Sequence, residues 1–253
     1  MLKKLIFFVA GLSLIGCGQE SDTNNDTSTT GSTARGESCD TPEEVVCIDD
    51  MILDLSYQDS VASTDITNLR EGQQWLTTID ATAGGFGNSS SNPWVYIRFT
   101  DTGAEKLELS DEDSLESMDW HLAAHRFKLR LNSGNGGPSC VKAAALLEGD
   151  YDSLDRVPEN LTFYSDNFYT SDCSLIEDSY GLGTPQVFMS GWWEYPGCVA
   201  TTGMPFIVQL DDGRRLKLRV ESYYVSGQET CNEEGVSGNG SANITIRWGF
   251  FFD

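Results

Sequence analysis

An all-β, antiparallel, disulfide-stapled domain is the fold that this sequence predicts, on three observations. Short runs of alternating apolar and polar residues, rich in aromatic and β-branched side chains, recur along the chain. Between two of them stands Asp211-Asp212-Gly213, the kind of sequence that supplies the positive φ of a tight hairpin turn. Of the 7 cysteines, one sits in the leader region and the rest form an even set, suited to bridges in an exported chain.

The N-terminus opens with Met1-Leu2-Lys3-Lys4 and an apolar run from Leu5 to Gly16. A positive start followed by so short a run is a secretory leader rather than a membrane span. It ends in Leu14-Ile15-Gly16-Cys17, which matches the lipobox of bacterial lipoproteins: an apolar residue, a tolerant position, a small residue and the cysteine that receives lipid. The expected organisation is therefore a leader over 1–16, a lipidated polar tether over 17–39 and one domain over 40–253. The tether is small and polar, with nothing to bury. Acyl chains on Cys17 would hold the protein on a bilayer without a spanning helix. Gly18 after the lipid cysteine favours an outer-membrane or cell-surface address, in either case outside the cytoplasm.

Strands are expected over Pro93–Phe99, Leu161–Tyr164, Gln186–Tyr195, Met204–Leu210, Arg215–Val225 and Ala242–Phe252. Ser114–Leu131 is ambiguous, because its apolar spacing by itself suits a helix. Cys39, Cys47, Cys140, Cys173, Cys198 and Cys231 are the disulfide candidates, with Cys39–Cys47 expected as a local clip and Cys173–Cys198 as a second bridge. The cysteines show no C-x-x-C spacing, which argues against zinc. A net charge of −23 repels phosphate backbones, so nucleic acid is excluded as a partner.

One block carries a resemblance. Met118-Asp119-Trp120-His121-Leu122-Ala123-Ala124-His125-Arg126-Phe127-Lys128-Leu129-Arg130-Leu131-Asn132, followed by Gly134-Asn135-Gly136-Gly137, resembles the signature of the HmuY family of bacterial haem-binding lipoproteins. Tyr96–Phe99 with Thr102-Gly103 is similar to an earlier strand and turn of that family. Ser190–Tyr195, with Trp192, is similar to its Gly-Trp-x-Glu-aromatic segment, and Phe206–Leu218 with Gly213 to its hairpin. The resemblance implies a single all-β domain whose long hairpins grip haem, and it places Trp120–Asn132 on a strand. There His121 and His125 would share a face about 13 Å apart, too far to chelate one ion.

The resemblance also exposes a departure. The family's best-known haem binders use two axial histidines, one in a loop before the Gly-Trp-x-Glu segment and one just after it. Here Gly197-Cys198 follows that segment, the earlier loop around Asp172-Cys173-Ser174 has no histidine, and His125 matches a strand histidine that is not a ligand. Iron ligation would then fall to Met189 or Met204, or a Cys173–Cys198 bridge would have replaced the iron clamp. Trp120, His125, Arg126, Asn132, Trp192 and Gly213 are expected to serve the framework.

The acidic runs Asp111-Glu112-Asp113 with Glu116, and Asp150-x-Asp152-x-x-Asp155, lack the calcium-loop pattern and are expected to be solvated loops. His121-x-x-x-His125 lacks the glutamate of the zinc-protease motif, and no nucleophile motif is present. The expectation is a binding lipoprotein, not an enzyme, whose cargo is haem or a related hydrophobic ligand and whose partner is a bilayer or a haem-carrying protein. The alternative is an interaction lipoprotein that kept the fold and lost haem.

Overall fold

The computed structural model describes residues 34–88, 91–177 and 186–252. Cys17, the lipobox and the tether up to residue 33 lie outside the described residues.

Twelve strands are described: β1 Ile66–Glu71, β2 Gln74–Asp80, β3 Val95–Thr100, β4 Gly103–Lys106, β5 Leu122–His125, β6 Lys128–Leu131, β7 Lys142–Ala145, β8 Trp193–Glu194, β9 Ala200–Thr201, β10 Phe206–Gln209, β11 Arg215–Tyr224 and β12 Ser241–Phe250. Two short helices accompany them, α1 Ile48–Asp54 and α2 Glu229–Glu234. The strands form a six-stranded sheet in the order β1-β2-β12-β11-β10-β7, a four-stranded sheet β4-β3-β5-β6 and a β8-β9 ribbon. Every pairing is antiparallel.

The two large sheets face each other across the main core. Ile244, Ile246 and Trp248 of β12 and Leu216, Leu218 and Val220 of β11 meet Val95, Ile97 and Phe99 of β3 and Leu129 and Leu131 of β6. Burying each such side chain contributes about 1.5–3 kcal/mol by removing apolar surface from water. The four-stranded sheet is covered on its other face as well. There Trp94, Tyr96, Trp120, Ala123 and Phe168 pack with Met51 and Leu55 from the α1 region. Burial on both faces explains why β5 reads Leu-Ala-Ala-His without alternation, all four residues being buried.

Asn68 joins the sheets. Its side-chain amide donates to the Ala104 carbonyl at 2.9 Å and its oxygen accepts the Ala104 N–H at 3.1 Å, closing the edge of β4 as a neighbouring strand would. The same oxygen accepts from Thr77 Oγ1, which accepts from Trp248 Nε1 at 2.8 Å.

Several expectations are corrected. Trp120–Asn132 is not one strand but the hairpin β5-β6, turning at Arg126 with φ 54°. Gln186–Tyr195 is a 3-10 helix over Phe188–Trp192 that ends in the two-residue β8, because Met189 and Trp192 turn inward at a spacing of three. In Leu161–Tyr164 only Tyr164 pairs, in an isolated bridge to Ala143. The disulfides are Cys39–Cys140, Cys47–Cys173 and Cys198–Cys231, not Cys39–Cys47 and Cys173–Cys198. Cys47 is the N-cap of α1 and Cys39 lies beside the β10-β11 turn, so the topology carries two near neighbours in sequence to separate partners. The bridge expected as a substitute for the iron clamp is therefore not formed.

The expected turn at Asp211-Asp212-Gly213 is present, closed by Gly213 N–H donating to the Leu210 carbonyl at 3.0 Å. Gly213 has φ 80°, and a Cβ there would stand 2.6 Å from the Gly36 carbonyl. Gly36 lies on the segment Ala34–Cys39, which docks along this turn: Arg215 N–H donates to the Ala34 carbonyl, Gly36 N–H to Gly213 and Cys39 N–H to Asp211.

Candidate functional site

Of the framework residues, Trp120, His125, Arg126, Asn132 and Trp192 lie on or against the β5-β6 hairpin, while Gly213 sits in the β10-β11 turn. Trp120 is fully buried and donates from Nε1 to the Ser114 carbonyl at 3.0 Å. Asn132, also fully buried, donates to the carbonyls of Ser117 and Trp120 and accepts from Ser139 N–H, so one amide ties both ends of the Gly-rich loop. At the hairpin tip, Trp192 Nε1 donates to the Phe127 carbonyl at 3.1 Å and locks the 3-10 helix onto the turn.

The two histidines have separate duties. His121 Nδ1 accepts the Phe99 N–H at 3.0 Å, so the proton is on Nε2, which donates to Asp211 Oδ1 at 3.0 Å. Both ring nitrogens are spent, and neither can ligate a metal without breaking a bond. His125 is buried and stacks on Trp94 at 5.2 Å. Among the described residues no group of three His, Cys, Asp or Glu side chains could hold a metal ion.

Buried charges, which sequence reasoning missed, underlie the hairpin. Arg130 of β6 is wholly buried within a cage of Tyr57, Trp94, Tyr96 and Trp120, its guanidinium carbon 4.8 to 5.5 Å from the ring centres. Its Nη2 donates to Tyr96 Oη at 2.9 Å, and Tyr96 donates in turn to Asp111 Oδ1 at 2.9 Å. Burial pulls Arg130 down to about 9, opposed by the nearby Asp166 charge, and leaves it a cation at neutral pH.

Asp111 was expected on a solvated acidic loop; instead it is fully buried and accepts the N–H groups of Gln58 and Trp94. Asp166 accepts the N–H groups of Leu131 and Phe188 and so pins the 3-10 helix to β6. Burial raises each carboxyl to about 6 against the pull of these amides. The pattern Lys128-Leu129-Arg130-Leu131 held a clue, since an arginine between two core leucines on a doubly covered strand must also lie inside. The second acidic run is closed by a built-in cation: Lys217 Nζ donates to the Tyr151 and Leu154 carbonyls at 3.0 and 2.7 Å.

The hairpin tip is backed by a packed aromatic group. Phe127, Trp192, Trp193 and Tyr223 form a contiguous aromatic group, with ring centres 4.8 to 6.5 Å apart and the Arg126 guanidinium 5.6 Å from Phe127. The adjoining loops expose Tyr195, Val225 and Val236. They are held together by Cys198–Cys231 and by the close approach of Pro196-Gly197 to Gly235. Of the two methionines expected as iron ligands, Met189 is fully buried in the core. Met204 is partly buried, its Sδ 3.2 Å from where a Cβ on Gly191 would be. Trp192, Trp193 and Tyr223 are buried in the main core and Phe127 is partly buried against it, so a flat ligand would meet the loop residues in front of these rings, and ligation by either histidine does not fit.

Residues 90–235 match the family model described as HmuY protein. No curated protein matches the chain. Among solved structures, one described as HmuY-like and haem-binding, from Bacteroides vulgatus, has 19% identity and a TM-score of 0.47, covering 75% of this chain and 100% of its own. The apo HmuY analogue of Tannerella forsythia has 16% identity and a TM-score of 0.45, covering 77% and 100%. Likenesses at that level carry no weight here, and the assignment rests on the sequence match, which spans more than half the chain and holds the hairpin, the Gly-rich loop and the Trp192-Trp193 segment: the chain belongs to the HmuY family.

Proposed function

We propose that this protein is a lipid-anchored binding protein outside the cytoplasm, tethered through Cys17, that captures haem or a related flat apolar ligand at the aromatic hairpin tip. The observation that carries the reading is the family match, which spans the hairpin and the Trp192-Trp193 segment; there Phe127, Trp192, Trp193 and Tyr223 pack behind loops that expose Tyr195, Val225 and Val236. No described helix is long and apolar enough to cross a membrane. The binding rests on stacking and apolar burial. Met204 is the thioether beside this surface, and a soft thioether favours ferrous over ferric iron.

A second reading, an interaction lipoprotein without haem, draws support from the histidines, one with both nitrogens engaged and the other stacked in the core. Titration of the full-length protein with haemin, oxidised and reduced, separates the two. The first reading expects a Soret shift that is stronger on reduction, abolished in Met204→Ala and retained in Met189→Ala. No shift in either oxidation state would leave the second.

A further inference from the structure

At the far end of β12 a cleft of about 430 Å³ is lined by Gln73, Gln74, Asp152, Leu154, Asp155, Lys217 and Gly249 to Phe252. We infer that this cleft is a saccharide-binding subsite for a neutral sugar unit, separate from the aromatic hairpin tip and independent of any haem binding.

Its chemistry is that of a hydroxyl-rich, uncharged ligand. Phe252, 69% exposed, offers a flat apolar ring at the lip, suited to the C–H face of a pyranose. Among the described residues no hydrogen bond engages the side chains of Gln73, Gln74 or Asp155. Two amides and a carboxylate, Gln73 and Asp155 exposed and Gln74 partly buried, thus line the same cleft as that ring with donors and acceptors that no protein hydrogen bond takes, as a pocket that reads hydroxyl groups requires.

The walls are fixed. Lys217 clamps the Tyr151–Leu154 turn to β11 through two carbonyls. On the opposite wall, Gly249 lets the β1-β2 turn close onto β12, since a Cβ there would stand 3.3 Å from Gln74 Cγ and 3.4 Å from the Gln73 carbonyl. The charge selects against other ligands. Asp152 and Asp155 repel phosphates and uronates, while Lys217 and the Arg219–Asp152 contact at 3.7 Å already supply cations, so a basic peptide gains little. Across the Phe250–Phe252 ridge lies a second cleft of about 500 Å³, with Arg35, Asp101 and Arg214. A chain of several sugar units can therefore extend over Phe252 from one cleft into the other.

Saturation-transfer NMR on the full-length protein tests this, with cellotriose, maltotriose and chitotriose as neutral probes and trigalacturonate and trilysine as charged ones, each at about 10 mM to reach millimolar affinities. The inference expects transfer to the ring protons of at least one neutral trisaccharide, weaker transfer to its monosaccharide, and loss of transfer in Phe252→Ala and in Gln74→Ala. Phe252→Ala should leave the haemin titration as in the wild type, so that failure here and failure of the haem reading are read apart. Absence of transfer for all three neutral probes, transfer indifferent to both substitutions, or preference for trigalacturonate or trilysine would each overturn the inference.

Discussion

Replacing Arg130 by methionine tests whether the hairpin depends on a buried cation. Methionine fills a similar volume, so the variant opens little cavity and isolates the charge. The loss has two parts. Four ring contacts at 4.8 to 5.5 Å disappear, each worth roughly 0.5–2 kcal/mol. Asp166, which is fully buried and feels the Arg130 charge, and Asp111, reached through Tyr96, are left inside the protein without that cation. Breaking a buried charge arrangement by removing one partner costs about 3–5 kcal/mol. Against this stands the desolvation that the guanidinium no longer suffers, several kcal/mol for a buried ion. The net expected at pH 7 is a destabilisation of about 3 kcal/mol, read by urea unfolding as a lower midpoint with unchanged slope. Arg130→Met combined with Asp166→Asn should recover part of that loss, because the carboxylate it exposes is gone. If Arg130→Met falls within about 1 kcal/mol of wild type, or if the second substitution adds its own full cost, the cation is not what holds these carboxylates.

The carboxylates also set a pH dependence. Asp111 and Asp166 are each raised from 3.8 to about 6, so the folded state holds their protons more tightly than the unfolded chain does. Their contribution is fully present below about pH 4 and lost as pH rises through about 6, up to about 3 kcal/mol for each at about 1.4 kcal/mol per unit. Wild type should therefore lose stability relative to Asp111→Asn between pH 4 and 7, and a difference that stays flat across that window contradicts the buried-carboxylate account. For the bridges, Cys47–Cys173 interleaves with Cys39–Cys140 and shortens the loop that the latter closes to roughly 40 residues, so loop closure predicts that removing Cys39–Cys140 or Cys198–Cys231, with a separation of 33, costs about 4 kcal/mol in either case. Paired serine variants compared by thermal unfolding, together with non-reducing peptide mapping, check both the size of the loss and the pairing.

What could be read from the chain and what could not divides along physical lines. The Asp211-Asp212-Gly213 turn and the long strands beside it were legible because turn chemistry and alternation are local. Arg215–Tyr224 and Ser241–Phe250 run within two residues of their expected ends. The β1-β2 hairpin went unnamed because β1 is almost wholly exposed and so shows no apolar face. Phe188–Trp192 read as a strand because aromatic richness marks burial and not geometry; the Asp166 carboxylate that receives the Phe188 N–H lies far off in sequence. Cysteine partners were hidden for the same reason, since each depends on which loops the sheets bring together. At the site, Trp120, Asn132 and Trp192 stood out through the resemblance. Arg130 and Asp111 did not, because charged residues ordinarily sit in water and only a fully formed aromatic and amide surround could place them inside.

The segment Ala34–Cys39 runs along the β10-β11 turn and is bonded covalently at its far end to Cys140. A pull on the chain from its N-terminal side would first shear the short row of backbone bonds to Gly213 and Asp211, and would then meet the sulfur bridge. From there the load passes to the residue just before β7, at the edge of the six-stranded sheet, and not along the rest of the N-terminal segment to α1. Drag on a protein held by its N-terminus would thus be borne by a covalent strut, while the hairpin tip and its aromatic face stay outside the line of force.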